Sequence, residues 1–187
     1  MGLSIREKGD VVATFRFVAV RLMETLAGWV PSTPELEAKA LFGRHLWDLA
    51  QHADLLGRRT AELRLALHHS RPPVSGYREV LAALDGLQRT GDRFGGAYDA
   101  VLPDVARRYE GYLRITDRLL DEPTVRILEG ALTDLRRMGA ERDALLAERP
   151  DLAPRDHTSV RRISALAVAT ADFVDYRVAG SETVGAA

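Results

Sequence analysis

The stretch from Ser32 to about Leu67 constrains this chain more than any other. After Pro34 it runs for about 34 residues without a proline and keeps its apolar side chains at helical spacing. A helix that long spans roughly 50 Å at 1.5 Å per residue. In a small domain such a rod favours long helices laid side by side over a compact globin-like packing. Its start is marked by Ser32 as a cap, Pro34 in the first turn and Glu35 three residues after Ser32, the spacing of a capping box.

The rest of the pattern is also helical. Val11, Phe15, Val18, Ala19, Leu22, Met23 and Leu26 draw one stripe from Asp10 to about Trp29, behind a frayed lead-in over residues 1–9. His68 to Gly76 reads as a loop, and a shorter helix follows from Tyr77 to about Leu87. Thr90 to Leu102, dotted with Gly91, Gly95 and Gly96, reads as a flexible turn. Pro103 opens a helix to about Leu120. Asp121-Glu122-Pro123-Thr124 stops it and starts the next, which carries Val125, Leu128, Leu132, Leu135 and Met138. A last helix is expected over about 158–176. Thr170 falls on its inner face and needs a carbonyl one turn back for its hydroxyl. No segment alternates convincingly as a strand. The reading is one all-α domain over residues 1–187.

Composition narrows the function classes. The chain has 187 residues with 26 basic and 27 acidic side chains, a net charge of −1. That balance speaks against nucleic-acid binding by bulk charge. No run approaches the ~18 apolar residues of a membrane span, and no signal-peptide pattern opens the chain, so a cytoplasmic protein is expected. With no cysteine, thiolate metal sites and cysteine nucleophiles are excluded. Paired arginines at 58–59, 107–108, 136–137 and 161–162 read as solvated faces with ion pairs.

The chemistry-bearing residues gather on the long helix. With Leu49 at the centre of its buried face, His45 and His52 lie about 40° and 60° to one side and Asp48 about 100°, at 100° per residue. The three form one stripe along the edge of the core. The two imidazoles are roughly 10 Å apart along the axis, too far to share a metal without help from other helices. Asp48 and His52, at i and i+4, can share a ligand or a hydrogen bond. For each histidine alone, a hydrogen bond to a neighbouring carboxylate or carbonyl is the simpler reading. A neutral imidazole beside a carboxylate is also a competent proton shuttle near pH 7.

Several blocks resemble a bacterial ferritin-like family. They are Ala27-Gly28-Trp29-Val30-Pro31, Pro34 to Lys39, Gly43-Arg44-His45-Leu46-Trp47-Asp48-Leu49-Ala50-Gln51-His52-Ala53-Asp54, then Arg59 with Glu62-Leu63-Arg64, and later Asp121 to Leu128. The resemblance covers about residues 10–147. It implies a four-helix bundle, here with an additional C-terminal helix, in a family many of whose relatives hold two iron or manganese ions. Such centres take a Glu from each of two helices and a Glu-x-x-His pair from each of the other two. Here Leu49, Leu135 and Met138 stand where the resemblance expects ligands, so the usual set is largely missing.

Three functions follow as expectations. The first is a ferritin-like protein without a two-metal centre and without cofactor. It binds or transforms a small molecule in the bundle cavity by acid–base chemistry through His45, Asp48 and His52, with Tyr109, Tyr112, Met138 and Arg142 against the substrate. Bacterial secondary metabolism is its expected setting. The second is an oxidase or oxygenase with an atypical iron or manganese site of His45, Asp48, His52 and Asp134, with Glu37 as a further candidate ligand. The third is a non-catalytic helical partner or scaffold. No nucleic acid and no membrane are expected as partners, and a homodimer is left open.

Overall fold

The computed structural model describes residues 3–174, and all regular structure among them is helical. The elements are α1 (Ile5–Ser32), α2 (Leu36–Glu62), α3 (Ser75–Asp85), α4 (Thr90–Phe94), a π-helical segment (Gly95–Val101), α5 (Leu102–Ile115), α6 (Glu122–Glu148), a 3₁₀ turn (Pro150–Leu152) and α7 (Thr158–Ala169). No helix among the described residues is long and apolar enough to cross a membrane.

α1 and α2 form a long hairpin. Their facing sides bury Phe15, Val18, Leu22, Leu26 and Trp29 against Leu41, Phe42, Leu49 and Leu56. Phe15 reaches α5, with ring centroids 4.8 Å from Tyr109 and 5.9 Å from Tyr112. Trp29, Phe42, Phe94 and Tyr98 pack in sequence, each ring against the next, and carry the core from α1 through α2 into the π segment. α6 lies along α2 and α5 and buries Leu128, Leu132, Leu135 and Met138. These apolar side chains are withdrawn from water along one face of each helix, the term that holds such an assembly together.

Several boundaries differ from the sequence reading. α1 starts at Ile5, not Asp10, because the capping box lies at Ser4 and Glu7. The Ser4 hydroxyl accepts from the Glu7 N–H, and the Glu7 carboxylate accepts from the Ser4 N–H at 2.8 Å. Ser32 does not cap α2. It ends α1, donating to the carbonyls of Gly28 and Trp29, while Glu35 accepts from Thr90. α2 stops at Glu62 rather than near Leu67, since Arg64 takes a left-handed conformation (φ 66°) that turns the chain back toward α1.

The glycine-dotted stretch is helix, not turn. At Gly91 a β-carbon would stand 2.7 Å from the carbonyl oxygen of Ala153, and at Gly95 it would stand 2.5 Å from Val160 Cγ2. The glycines let the 3₁₀ turn and α7 approach this backbone closely. Within the segment the bonding pattern lengthens, the Leu102 N–H donating to the Ala97 carbonyl five residues back. α5 ends at Ile115, before the expected Leu120, and α7 ends at Ala169. The expected continuation to 176 fails at Thr170, which has extended backbone, and residues 175 and 176 lie outside the described residues. Thr170 does donate to the Leu166 carbonyl at 3.0 Å, as its place on the inner face required.

Candidate functional site: the seam between α2 and α6

His45, Asp48 and His52 all face α6, and each meets a side chain of opposite character. His45 Nε2 lies 3.2 Å from Glu141, Asp48 accepts from Arg137 at 2.8 Å, and His52 Nε2 lies 3.0 Å from Asp134. The helices run antiparallel, so the residue numbers rise on one side of the ladder as they fall on the other. Base faces acid, acid faces base, and base faces acid over two turns. Arg137 ties the rungs together, since it also contacts Asp134 at 3.1 Å and Glu141 at 2.9 Å.

His45 is the deepest member. It is fully buried, and its Nδ1 lies 2.6 Å from the Tyr98 hydroxyl in the π segment. The two contacts assign the tautomer. A carboxylate accepts, so Nε2–H donates to Glu141, and Nδ1 accepts from the Tyr98 O–H. Burial pushes the His45 imidazole below its ordinary pKa, against the upward pull of Glu141 and Asp48. It is therefore neutral near pH 7. Burial pushes the Tyr98 phenol up, so that it stays protonated. Arg137 holds Glu141 low, aided by His45. On Asp134 burial acts upward, but His52 and Arg137 outweigh it and hold that carboxyl low. Three bound carboxylates raise Arg137.

Of the expected substrate contacts, only Arg142 joins this cluster. Its guanidinium lies 5.5 Å from the Tyr98 ring centroid and 2.6 Å from Asp99. Met138 is fully buried in the apolar core of α6. Tyr109 packs on Phe15, and Tyr112 donates to Asp121 at 2.6 Å in a separate polar cluster. The four expected substrate contacts therefore do not line one pocket. An internal void of about 10 Å³ between Leu22, Leu26, Leu49, Leu84 and Tyr98 has room for one water at most. A larger cleft of about 300 Å³ lies elsewhere, among Glu35, Arg89, Asp92, Asp151 and Arg155 at one end of the molecule.

The atypical metal set is not assembled either. Asp48 turns to Arg137 rather than to His52, and Glu37 leaves for Arg149 at 2.7 Å. Among the described residues no group of three or more His, Asp or Glu side chains is placed to hold a metal ion. A cation already sits among the acids: the guanidinium of Arg137 touches Asp48, Asp134 and Glu141. Leu49, Leu135 and Met138, at the positions where a two-metal centre would need ligands, are buried apolar residues. The residues present do not fit such a centre.

The sequence marks Glu141 only by its place seven residues after Asp134, the spacing of His45 and His52. The arginine pairs are not uniformly solvated. Arg59 and Arg108 are buried and Arg137 bridges the ladder, while Arg58, Arg107 and Arg136 point outward. Arg59 donates to Asp121 at 2.8 Å, and the carboxylate of Asp121 also accepts from Tyr112, Thr116 and Thr124. Arg108 lies between Tyr77 and Phe173, 4.7 and 4.2 Å from their centroids, and donates to the carbonyls of Ala167, Thr170 and Ala171. No family model, curated protein or solved structure matches the chain at a significant level.

Proposed function

We propose that this chain is a ferritin-like four-helix bundle with an added C-terminal helix, cytoplasmic, that carries no metal centre and acts as a non-catalytic partner protein through its surface. One observation carries the reading. His45, Asp48, His52, Asp134, Arg137 and Glu141 are each engaged by another of these six side chains, and His45 also by Tyr98. Six side chains paired in this way fix the register of two antiparallel helices, which is what a structural seam requires. Fold and function are separable, so a bundle can outlast its metal chemistry.

The test is a double-mutant cycle on His52 and Asp134. If the seam is structural, His52→Ala and Asp134→Ala each destabilise the fold, and the pair is coupled by roughly 1 kcal/mol. Single variants of wild-type stability, with no coupling, would overturn the reading, because residues kept for chemistry add little to stability.

A second reading keeps the chain as a metal-independent enzyme of secondary metabolism with a small-molecule substrate. Its support is the chain of contacts from Tyr98 through His45 to Glu141, whose carboxylate is partly exposed. Such a relay can pass a proton between the interior and solvent. It requires a small molecule that raises the melting temperature of the wild type and leaves that of His45→Gln unchanged. A screen of acidic, basic and phenolic metabolites with no such hit would sink it.

A further inference from the structure

The face of α2 opposite the core carries a pattern that its own fold does not explain. Leu36, Ala40, Gly43, Trp47, Ala50 and Asp54 follow one another at steps of four, three, four, three and four. That is the spacing of a coiled-coil seam. Leu36 is 75% exposed and Trp47 66% exposed. Gly43 sits in the middle of the helix, where glycine costs up to about 1 kcal/mol relative to alanine. A β-carbon there would meet nothing within 4 Å, so no intramolecular contact requires the glycine.

We propose that this face binds a second copy of the chain, α2 packing antiparallel on α2. The occupant follows from the pattern itself. The series is symmetric about position 45, so two antiparallel copies place Ala40 opposite Ala50, Gly43 opposite Trp47 and Leu36 opposite Asp54. Each tryptophan then lies over the glycine of the other copy, and a large side chain meets the one position with no side chain. The two alanine pairs let the backbones approach closely. Leu36 lies over the last turns, where the aliphatic stem of Arg58 covers it.

Lys39 has no carboxylate partner among the described residues, and the antiparallel arrangement sets it diagonally across from Asp54 of the second copy, where it would join the Arg58 that already meets that carboxylate at 2.9 Å. A parallel pairing in register would put Trp47 beside Trp47 and Gly43 beside Gly43, without that complementarity. The paired segment from Leu36 to Asp54 is roughly 27 Å long. The dimer does not depend on either reading of the histidine ladder, which lies on the opposite flank of α2.

The experiment is sedimentation equilibrium over a wide range of protein concentration, with three variants. The wild type is expected to move from 20.6 kDa to twice that mass as concentration rises. Gly43→Leu meets nothing in its own chain, so it keeps the helical circular dichroism and weakens the dimer at least tenfold. Because the chain has no cysteine, a mixture of Ala40→Cys and Ala50→Cys chains reports the register. Cross-linked heterodimers in excess of either homodimer are expected on oxidation. A monomer at every concentration, a dimer indifferent to Gly43→Leu, or preferential Ala40→Cys homodimers would each overturn the proposal.

Discussion

His45 and Tyr98 stand 2.6 Å apart, one fully buried on α2 and the other in the π segment, and each completes the other's hydrogen bonding. Removing the phenol oxygen while keeping the ring isolates this contact. Tyr98→Phe leaves His45 Nδ1 buried without a donor, which costs about 1–3 kcal/mol. Urea unfolding should show a lower midpoint with an unchanged slope, the mark of a native-state effect. A variant as stable as the wild type would mean that water fills the gap or that the contact is not formed.

The same histidine sets a pH dependence. Burial lowers its pKa in the folded protein below that of the unfolded chain. The unfolded chain therefore binds more protons in the interval between the two values. Stability rises with pH across that interval, is fully present above about 6.5, and is lost as pH falls toward the folded value. The lowered carboxyls of Asp134 and Glu141 act in a more acidic window. The melting temperature of the wild type should fall between pH 7.5 and 5.5, and that of His45→Gln should fall less. Equal slopes would show that His45 does not carry the effect.

Asp121 is fully buried and faces Arg59, Tyr112, Thr116 and Thr124. Burial acts to raise its carboxyl, but the hydrogen bonds from Tyr112, Thr124, Thr116 and Arg59 prevail and hold it low. Asp121→Ala removes one of the two carboxylates that meet the Arg59 guanidinium, leaving Glu62, and strips the Tyr112, Thr116 and Thr124 hydroxyls of their common acceptor. A loss of roughly 3–5 kcal/mol is expected, enough to unfold a marginal domain at 37 °C. Arg59→Met with Asp121→Leu should be much milder than Asp121→Ala alone. Chemical denaturation of the three variants decides.

Two glycines make opposite predictions. Gly91→Ala drives a β-carbon to within 2.7 Å of the Ala153 carbonyl and should destabilise by about 1–3 kcal/mol. Gly130, exposed on α6, has nothing within 4 Å of that position. Gly130→Ala should stabilise by up to about 1 kcal/mol through helix propensity alone. Thermal unfolding of the pair would refute the close approach at Gly91 if both variants moved the same way.

Periodicity carried the sequence reading a long way. The stripes Val11–Leu26 and Val125–Met138 mark buried faces because an apolar face has to be covered wherever the helix goes. The spacing of His45, Asp48 and His52 placed them on one side of α2 for the same reason. The partner across the seam was less legible. Glu141 is one acidic residue among many on α6, and only the antiparallel register brings it to His45. Arg137 reads as surface charge until Asp48 is seen opposite it. Some helical boundaries moved for local reasons, as at Ser4 and Arg64, and others where the neighbouring chain decides. Ser32 is the last residue of α1 and its hydroxyl serves that helix and Arg93 rather than α2, and Gly91, Gly95 and Gly96 sit in helix where the Ala153 carbonyl and the side chains of Val160 and Leu87 occupy the space of a β-carbon.

The π segment has a consequence for how the chain tolerates change in length. It accommodates one residue more than a regular helix over the same axial distance. A chain with one residue deleted between Gly95 and Val101 could form an ordinary α-helix from Thr90 to Ile115 with every backbone bond made. The flanking turns would keep nearly the same phase, because the wider turn takes up the extra residue with little added rotation. Tyr109 and Tyr112 would stay against Phe15, whereas the side chains inside the segment would be redistributed, and the Tyr98 hydroxyl would leave His45. The irregularity therefore works as slack in the rod, stored at the one turn that reaches the buried histidine while both ends stay indexed to their neighbours.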